Sequence, residues 1–195
     1  ASSEKNVTFT FNLHKGWNLI SLPVIADFTA GSLGSVIGQD VKYIATSYNA
    51  TSREQKSYAQ DIGGKEDDFE IKPDFGYFVF VTKDCSFVVT GQRAAARNVS
   101  LYRGLNLVGW TSLEKSTAVD AFAAPLGSKL INVSRRVSEG SFQTYTPEVS
   151  GAADNFPVEP GNGYVLYVEE DCVLEYSGPA GEMLQKEPGR SAPGF

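Results

Sequence analysis

The chain has 195 residues, of which 42% are hydrophobic and 21% charged, a composition typical of one globular domain or two small ones. Asp and Glu outnumber Lys and Arg by 23 to 17, which gives a formal charge of −6. This balance disfavours nucleic acid and anionic membranes as partners. No apolar run approaches the roughly 20 residues that a membrane-spanning helix needs, so no membrane span is predicted.

The first half of the chain alternates between apolar and polar residues, the period of a β-strand with one buried face. The alternation is strict over residues 7–14, and Gly16 predicts a hairpin turn into a second strand over 17–24. Residues 32–37 have the spacing of a short helix. Further strands are predicted over residues 41–49, 55–61, 77–83 and 86–91.

The second half repeats this order of elements. Ser116 and Thr117 offer hydroxyl groups for an N-cap and are followed by good helix formers, so residues 116–124 are predicted to be helical. Strands are predicted over residues 129–138, 142–148, 164–169 and 173–177.

The same motifs occur twice in the chain. Residues 13–20 (LHKGWNLI) return 88 positions later as 101–108 (LYRGLNLV). The closing block that ends at Cys85 returns 87 positions later and ends at Cys172. On this second offset the matched pairs are Ile44 with Ile131, Tyr58 with Tyr145, Phe69 with Phe156 and Tyr77 with Tyr164.

A period of this length indicates a duplicated domain and not the short unit of a solenoid. We predict an all-β protein with two homologous domains, each a β-sandwich or small barrel with one short helix. The predicted boundaries are 1–92 and 93–178, followed by a Pro/Gly-rich tail or stalk over 179–195.

Candidate catalytic residues are few. His14 is the only histidine and lies on the polar face of the first predicted strand. A lone histidine cannot build a tetrahedral zinc site. Serine-nucleophile, zinc-protease, phosphate-loop and dinucleotide motifs are absent from the sequence. The sequence therefore predicts a protein that is not an enzyme and has no cofactor.

Carboxylates cluster in matching loops of the two copies, over residues 66–68 (Glu-Asp-Asp) and 154–155 (Asp-Asn). Six to eight oxygen ligands of this kind would bind calcium. The alternative is an Asx-turn that begins the next strand. The second copy lacks two of the acids, which favours the turn.

The aromatic content is 12% and includes Trp17 and Trp110 on or near predicted strands. On an exposed sheet face, such rings would stack on sugars, as in a carbohydrate-binding module. The alternative is that they are core residues. Leu105 stands in the place of Trp17, and Trp110 in the place of Leu22, which favours buried apolar positions.

Glycosylation sequons are more frequent than the composition gives by chance. They occur at Asn6, Asn49, Asn98 and Asn132. The alternative is that a β-rich chain carries many Thr and Ser on its solvent-facing strands. The chain also begins at Ala1 without an initiating Met, as expected of a processed secreted protein or of a trimmed chain. Together these features favour an extracellular glycoprotein.

The two cysteines, Cys85 and Cys172, occupy equivalent positions in the two copies. Outside the cell they would bond to each other, pair between molecules, or remain buried and reduced. We favour a Cys85–Cys172 disulfide, because unpaired extracellular thiols are prone to oxidation and a pseudo-twofold axis can bring equivalent residues together.

Residues 15–23 (KGWNLISLP) and 71–77 (IKPDFGY) resemble the GWNLISLP … PGxGYW repeat of secreted and surface-layer-type proteins of archaea and some bacteria. Residues 193–195 (Pro-Gly-Phe) resemble the C-terminal sorting signature of archaeal surface proteins. The resemblance implies a surface glycoprotein of the cell exterior and carries no catalytic residues.

These observations predict a non-enzymatic structural protein of the cell surface, such as a surface-layer, sheath or filament subunit that self-associates. The alternative is a carbohydrate-binding or adhesive module displayed on the cell surface, for which glycans would be the partners.

Overall fold

The fold is described by a computed structural model, which covers residues 6–46, 56–63, 67–93, 97–138 and 140–176. Within these ranges the chain consists mainly of short antiparallel strands, and few residues are helical. The protein therefore belongs to the all-β class, as predicted. No helix of the described ranges is long and apolar enough to cross a membrane.

The described residues of the first half form nine strands and a helix between the fourth and fifth strands. They are β1 (Val7–Leu13), β2 (Gly16–Ile20), β3 (Val24–Ile25), β4 (Phe28–Thr29), α1 (Ala30–Ile37), β5 (Val41–Ala45), β6 (Ser57–Ala59), β7 (Glu70–Ile71), β8 (Tyr77–Val81) and β9 (Cys85–Arg93).

In the second half, the part of the chain that the structure describes forms eight strands and a run of helical turns. They are β10 (Arg97–Leu101), β11 (Gly104–Gly109), β12 (Ser116–Thr117), a π-helix (Val119–Ala123), α2 (Ala124–Leu126), a 3-10 turn (Gly127–Lys129), β13 (Leu130–Ser138), β14 (Ser141–Tyr145), a 3-10 turn (Ala152–Asp154), β15 (Pro157–Val158), β16 (Gly163–Val168) and β17 (Cys172–Tyr176).

Each half is organised around a four-stranded antiparallel sheet. The strand order is β2-β8-β5-β6 in the first half and β11-β16-β13-β14 in the second, which is the same order of equivalent strands. Smaller ladders complete each half, β1-β9-β3 and β4-β7 in the first and β10-β17 and β12-β15 in the second.

The buried apolar residues form one cluster in each half. In the first, Phe11 and Phe87 of the β1-β9 ladder lie in the same cluster as Val79 of the four-stranded sheet and Leu33 of α1. The second cluster is built from the equivalent elements, namely β10, β17, β16 and the π-helix. Each half is therefore a pair of β-layers around its own core, with a helix packed against it.

The predicted boundary after residue 92 falls within β9, because Arg93 is still paired with Val24 of β3. The first half therefore extends through Arg93. The predicted tail over 179–195 lies outside the described residues.

The predicted hairpin at Gly16 is wrong. β1 pairs with β9 and β2 pairs with β8, so the two strands on either side of Gly16 belong to different sheets. Gly16 has a φ of 96°, and its equivalent Gly104 has a φ of 102°. The glycine therefore provides the left-handed backbone of a corner at which the chain passes from one sheet to the other.

The separation of equivalent residues changes along the chain. The backbone N–H groups of Ala30 and Ala118 donate equivalent hydrogen bonds, 88 positions apart, to Phe69 and Phe156. By contrast, Ile44 pairs with Val79 where Val133 pairs with Leu166. Ile44 is therefore equivalent to Val133, 89 positions away, and the predicted match of Ile44 with Ile131 is wrong.

The second half has one additional residue between Ala118 and Leu130, and the π-helix lies in this interval. A π-helix has a wider turn than an α-helix and accommodates one inserted residue without shifting the flanking elements. Insertion of a residue into the helix therefore explains the local change of register. The predicted helix over 116–124 begins only at Val119, because Ser116–Thr117 form β12, as Phe28–Thr29 form β4 before α1 in the first half.

The two halves contact each other through equivalent segments. Ile20 at the end of β2 forms a β-bridge with Asn162, and Val108 near the end of β11 forms one with Phe75. Ile20 corresponds to Val108, and Phe75 corresponds to Asn162. The first half therefore makes with the second the same contact that the second makes with the first.

Hydrogen bonds across the interface repeat this reciprocity. The N–H of Ser21 donates to the Gly161 carbonyl at 2.9 Å, and the N–H of Gly109 donates to the Asp74 carbonyl at 2.9 Å. Reciprocal contacts of this kind define an isologous, pseudo-twofold interface. Because backbone groups form it, the halves are held in one fixed arrangement.

Candidate functional site

The asparagine of the repeated Gly-x-Asn motif closes the sheet-to-sheet corner. The Asn18 side chain accepts a hydrogen bond from the His14 N–H at 3.0 Å and donates one to the His14 carbonyl at 2.8 Å. Asn106 makes the same two bonds with Tyr102, at 3.0 and 2.8 Å. These bonds satisfy backbone groups that the corner removes from the ladder, so the asparagine is structural.

The aspartate before each cysteine fastens the same corner from the neighbouring turn. Asp84 Oδ1 accepts from the Lys15 N–H at 2.7 Å, and Asp171 Oδ1 accepts from the Arg103 N–H at 2.8 Å. In each half, the aspartate therefore joins the turn before the cysteine to the sheet-to-sheet corner.

The tyrosine of the repeated Gly-Tyr motif closes a third turn. The Tyr77 hydroxyl accepts a hydrogen bond from the Lys72 N–H at 2.7 Å, and the Tyr164 hydroxyl accepts one from the Glu159 N–H at 2.8 Å. Burial raises the pKa of Tyr164 to about 12, against the weaker opposing effect of that hydrogen bond, and it raises the pKa of Tyr77 as well. Both phenols are therefore neutral structural groups.

The clustered carboxylates cap the helical segments. Asp68 Oδ1 accepts a hydrogen bond from the Gly31 N–H at 2.8 Å, and Asn155 Oδ1 accepts one from the Val119 N–H at 3.0 Å. In the second half the Asn155 amide oxygen accepts the bond that the Asp68 carboxylate accepts in the first. The position therefore requires a hydrogen-bond acceptor and not a charge. The described residues contain no group of three His, Cys, Asp or Glu side chains that could hold a metal ion, and Glu66 lies outside them.

His14 lies at the surface beside the corner. Its side chain is 85% exposed, and Nδ1 is 3.8 Å from Oδ2 of Asp84. The ring is therefore solvated, as the alternating pattern predicts, although His14 lies directly after the last residue of β1.

The two tryptophans have different environments. Trp110 is buried, and its Nε1–H donates to the Glu114 carbonyl at 2.8 Å. Trp17 is 39% exposed, so the prediction of a core position holds for Trp110 and is wrong for Trp17. Leu105, which takes the place of Trp17 in the second half, is 59% exposed. The substitution by leucine reflects an outward-facing position in both halves.

Trp17 belongs to an exposed aromatic cluster on the outer face of the first four-stranded sheet. Its ring centroid lies 6.4 Å from that of Tyr43, with only 25° between the planes. Phe80 lies 5.2 Å from Trp17 and Phe78 lies 6.3 Å from it, both edge-on. We call these four residues the aromatic face.

The predicted glycosylation sites differ in exposure. Asn6 and Asn98 are exposed, whereas Asn132 is half-buried in β13 opposite Tyr167. Asn49 lies outside the described residues.

Cys85 and Cys172 are half-buried free thiols, so the predicted disulfide between them is not formed in this structure. Cys85 pairs with Leu13 of β1 and Cys172 pairs with Leu101 of β10, so the two thiols occupy equivalent positions in separate ladders.

The environment of both thiols disfavours the reactive thiolate. Burial, followed by the carboxylates of Asp40 and Asp84, raises the pKa of Cys85. Burial also raises the pKa of Cys172, against the opposing charge of Lys129. The thiols are therefore weak nucleophiles at neutral pH.

A groove of about 370 Å³ lies where the two halves meet. β1 and the corner line one side with Asn12, Lys15 and Trp17, and the end of β13 lines the other with Arg135 and Arg136. No pattern in the sequence predicts this groove, because it joins residues more than 100 positions apart.

The groove and the aromatic face both offer chemistry for binding. Comparison with known protein families, with curated proteins and with solved structures finds no match to this chain.

Proposed function

We propose that this protein is a non-enzymatic structural protein of the cell surface that self-associates into a layer, sheath or filament. The proposal rests chiefly on what the repeated motifs do. Asn18, Asp84, Tyr77 and their equivalents close backbone turns, so the residues common to both copies maintain the fold. A subunit of a regular assembly needs a rigid fold of this kind.

The isologous interface supports the same role. Backbone hydrogen bonds join the halves in both directions, which fixes their relative orientation. Assembly into a regular layer requires subunits of one defined shape, because variable subunits do not repeat.

Exposed apolar pairs on both four-stranded sheets provide surface for self-association. Trp17 pairs with Phe80 on the first sheet, and Leu105 pairs with Tyr167 on the second. Trp17, Leu105 and Tyr167 are each 39% exposed or more. Outward-facing apolar side chains of this kind are typical of interaction surfaces.

The extracellular location is supported by the sequons, two of which are exposed at Asn6 and Asn98, and by the resemblance to secreted repeat proteins. Mass spectrometry of peptides from the native protein tests it. We expect glycans at Asn6 and Asn98. Unmodified peptides at all four sequons, from protein in the cytoplasmic fraction, would contradict the proposal.

The aromatic face favours a second candidate function, a carbohydrate-binding or adhesive module. Trp17 and Tyr43 present neighbouring, nearly parallel rings to solvent, as required for stacking on consecutive sugar rings. A glycan array with Trp17→Ala tests this function, and Leu105→Ala at the equivalent position is the matched control. The candidate predicts saturable binding that Trp17→Ala abolishes and Leu105→Ala retains. Binding equally sensitive to both variants, or absent altogether, would refute it.

A further inference from the structure

The groove between the halves carries more positive charge than the chain as a whole. Lys15, Arg135 and Arg136 line it, and Glu159 is the one acidic residue among the described residues of its lining. Glu159 forms an ion pair with Lys115 at 2.6 Å, which offsets its charge. A local excess of cations in a protein of net charge −6 favours an anionic ligand at this place.

The cations of the groove differ in what they can bind. Arg135 donates through Nε and Nη2 to Gln143 and lies over the Phe156 ring, so its guanidinium is engaged within the second half. Arg136 donates through Nε alone, to the Trp17 carbonyl at 2.8 Å. This bond holds its guanidinium at the boundary between the halves, where it also lies over the Phe142 ring, 5.7 Å from the ring centroid. Its two terminal nitrogens donate no hydrogen bond to a described residue and can still reach an anion.

Lys15 is the second available cation. Its backbone N–H is bonded to Asp84, but its ammonium forms no ion pair with any residue that the structure describes. Trp17 lies next to it in the groove lining, with an exposed indole, and Asn12 adds an exposed amide on β1. The lining thus combines two cations, a planar ring and a neutral hydrogen-bonding group.

We infer that the groove binds an acidic polysaccharide, with Lys15 and Arg136 contacting sugar carboxylates and Trp17 stacking on a sugar ring. The inference rests on the carbohydrate-binding candidate above and names the class of saccharide. Stacking on the planar Trp17 ring favours a sugar ligand over an acidic peptide. A volume of about 370 Å³ lies within the usual range of small-ligand sites, roughly 300 to 1,000 Å³.

Binding of polygalacturonate to the full chain, with its methyl ester as the uncharged ligand, tests this proposal. We expect the ester to bind at least about tenfold more weakly, and polygalacturonate affinity to fall as salt rises. Lys15→Gln should weaken binding about fivefold or more, because it removes one charge contact of about 1 kcal/mol. Arg103→Gln, at the equivalent corner outside the groove lining, is the matched control and should bind normally.

Arg136→Gln should weaken binding similarly, and thermal unfolding of this variant shows whether loss of its bond to Trp17 disturbs the fold. If Arg136→Gln disturbs the fold, the comparison of Lys15→Gln with Arg103→Gln still shows whether the groove cations bind the polysaccharide. Equal affinity for the acid and the ester would overturn the charge assignment and leave the carbohydrate candidate standing. No binding to either polysaccharide would overturn this proposal, and the glycan array then decides the carbohydrate candidate separately. Tighter binding of polyglutamate than of polygalacturonate would overturn the proposal in favour of an acidic peptide.

Discussion

Gly76 and Gly163, which occupy equivalent positions in the two halves, face each other across the interface. A Cβ atom on Gly76 would lie 3.5 Å from the Gly163 Cα and 3.2 Å from the Val108 carbonyl oxygen. A Cβ atom on Gly163 would lie 2.9 Å from the Ile20 carbonyl oxygen. The backbones therefore approach closely at the interface because neither residue has a side chain.

Gly109 gives the sharpest test of this close approach. A Cβ atom there would lie 2.3 Å from the Pro73 carbonyl oxygen. We expect Gly109→Ala to lower the free energy of unfolding by about 3 kcal/mol, since the backbones must separate. Gly151→Ala is the control, because its φ is −85° and no atom lies within 4 Å of the added carbon. Chemical denaturation of both variants measures the difference, and equal stabilities would show that the interface is not closely packed.

The corner asparagines provide a second stability test. Asn106→Ala leaves the Tyr102 N–H and carbonyl without their partner, so we expect a loss of about 2 to 3 kcal/mol. Asn18→Ala should cost less, about 1 to 2 kcal/mol, because water reaches Asn18 more readily. Asn12→Ala, on the exposed face of β1, is the control. Melting temperatures that do not distinguish Asn106→Ala from this control would show that the corner bonds are unimportant.

The all-β class and the strand positions were predictable, because alternation of apolar and polar residues follows directly from burial of one sheet face. The corner at Gly16 was not. A glycine between two strands predicts a reversal as readily as a change of sheet, and only the pairing with β8 and β9 distinguishes them. The match of Ile44 with Val133 also escaped prediction, because sequence identity at Ile131 hides an inserted residue.

Buried tyrosines make stability depend on pH above 10. The folded state holds the Tyr164 proton more tightly than the unfolded chain, with a pKa of about 12 against 10.0. The stabilisation is therefore complete below pH 10 and is lost as the pH rises towards 12, at a cost of roughly 2 to 3 kcal/mol. Tyr164→Phe should be slightly less stable at pH 7 but lose less stability between pH 10 and 12.

Tyr167→Phe is the matched control for that experiment, because its ring is exposed on the outer face of the same strand. Urea unfolding at pH 8, 10 and 11.5 measures the effect. A Tyr164→Phe variant that loses as much stability as Tyr167→Phe over this range would show that the buried phenol does not control alkaline unfolding.

The cysteines should behave as two slow free thiols in each chain. Since burial raises the pKa of both, alkylation at pH 7 should be slower than that of an unfolded control, and it should accelerate as the pH rises through 9. Mass spectrometry after alkylation without reductant counts the thiols. A chain that takes up no label and migrates faster on non-reducing gels would restore the Cys85–Cys172 bond, and a ladder of oligomers would indicate bonds between subunits.

The candidate site was less predictable than the fold. The repeated Asn, Asp and Tyr residues are conspicuous in the sequence, yet the structure engages them in turns. The groove depends on Lys15 and Arg136 meeting across the interface, which no local pattern encodes. Trp17 and Ile20 point to opposite faces of β2, and Ile20 is buried, so the strand period alone would have placed Trp17 on the outer face. The replacement of Trp17 by leucine in the second half pointed instead to the core.

Electron microscopy of the protein purified from the cells that make it tests the proposed role most directly. The rigid, isologous two-half unit and the exposed pairs Trp17–Phe80 and Leu105–Tyr167 predict regular sheets or filaments built from the whole chain. Tyr167→Asp, which places a charge on one of these pairs, should prevent assembly and leave a folded chain. Native protein that remains as isolated particles at every concentration, with or without glycans, would contradict the proposal.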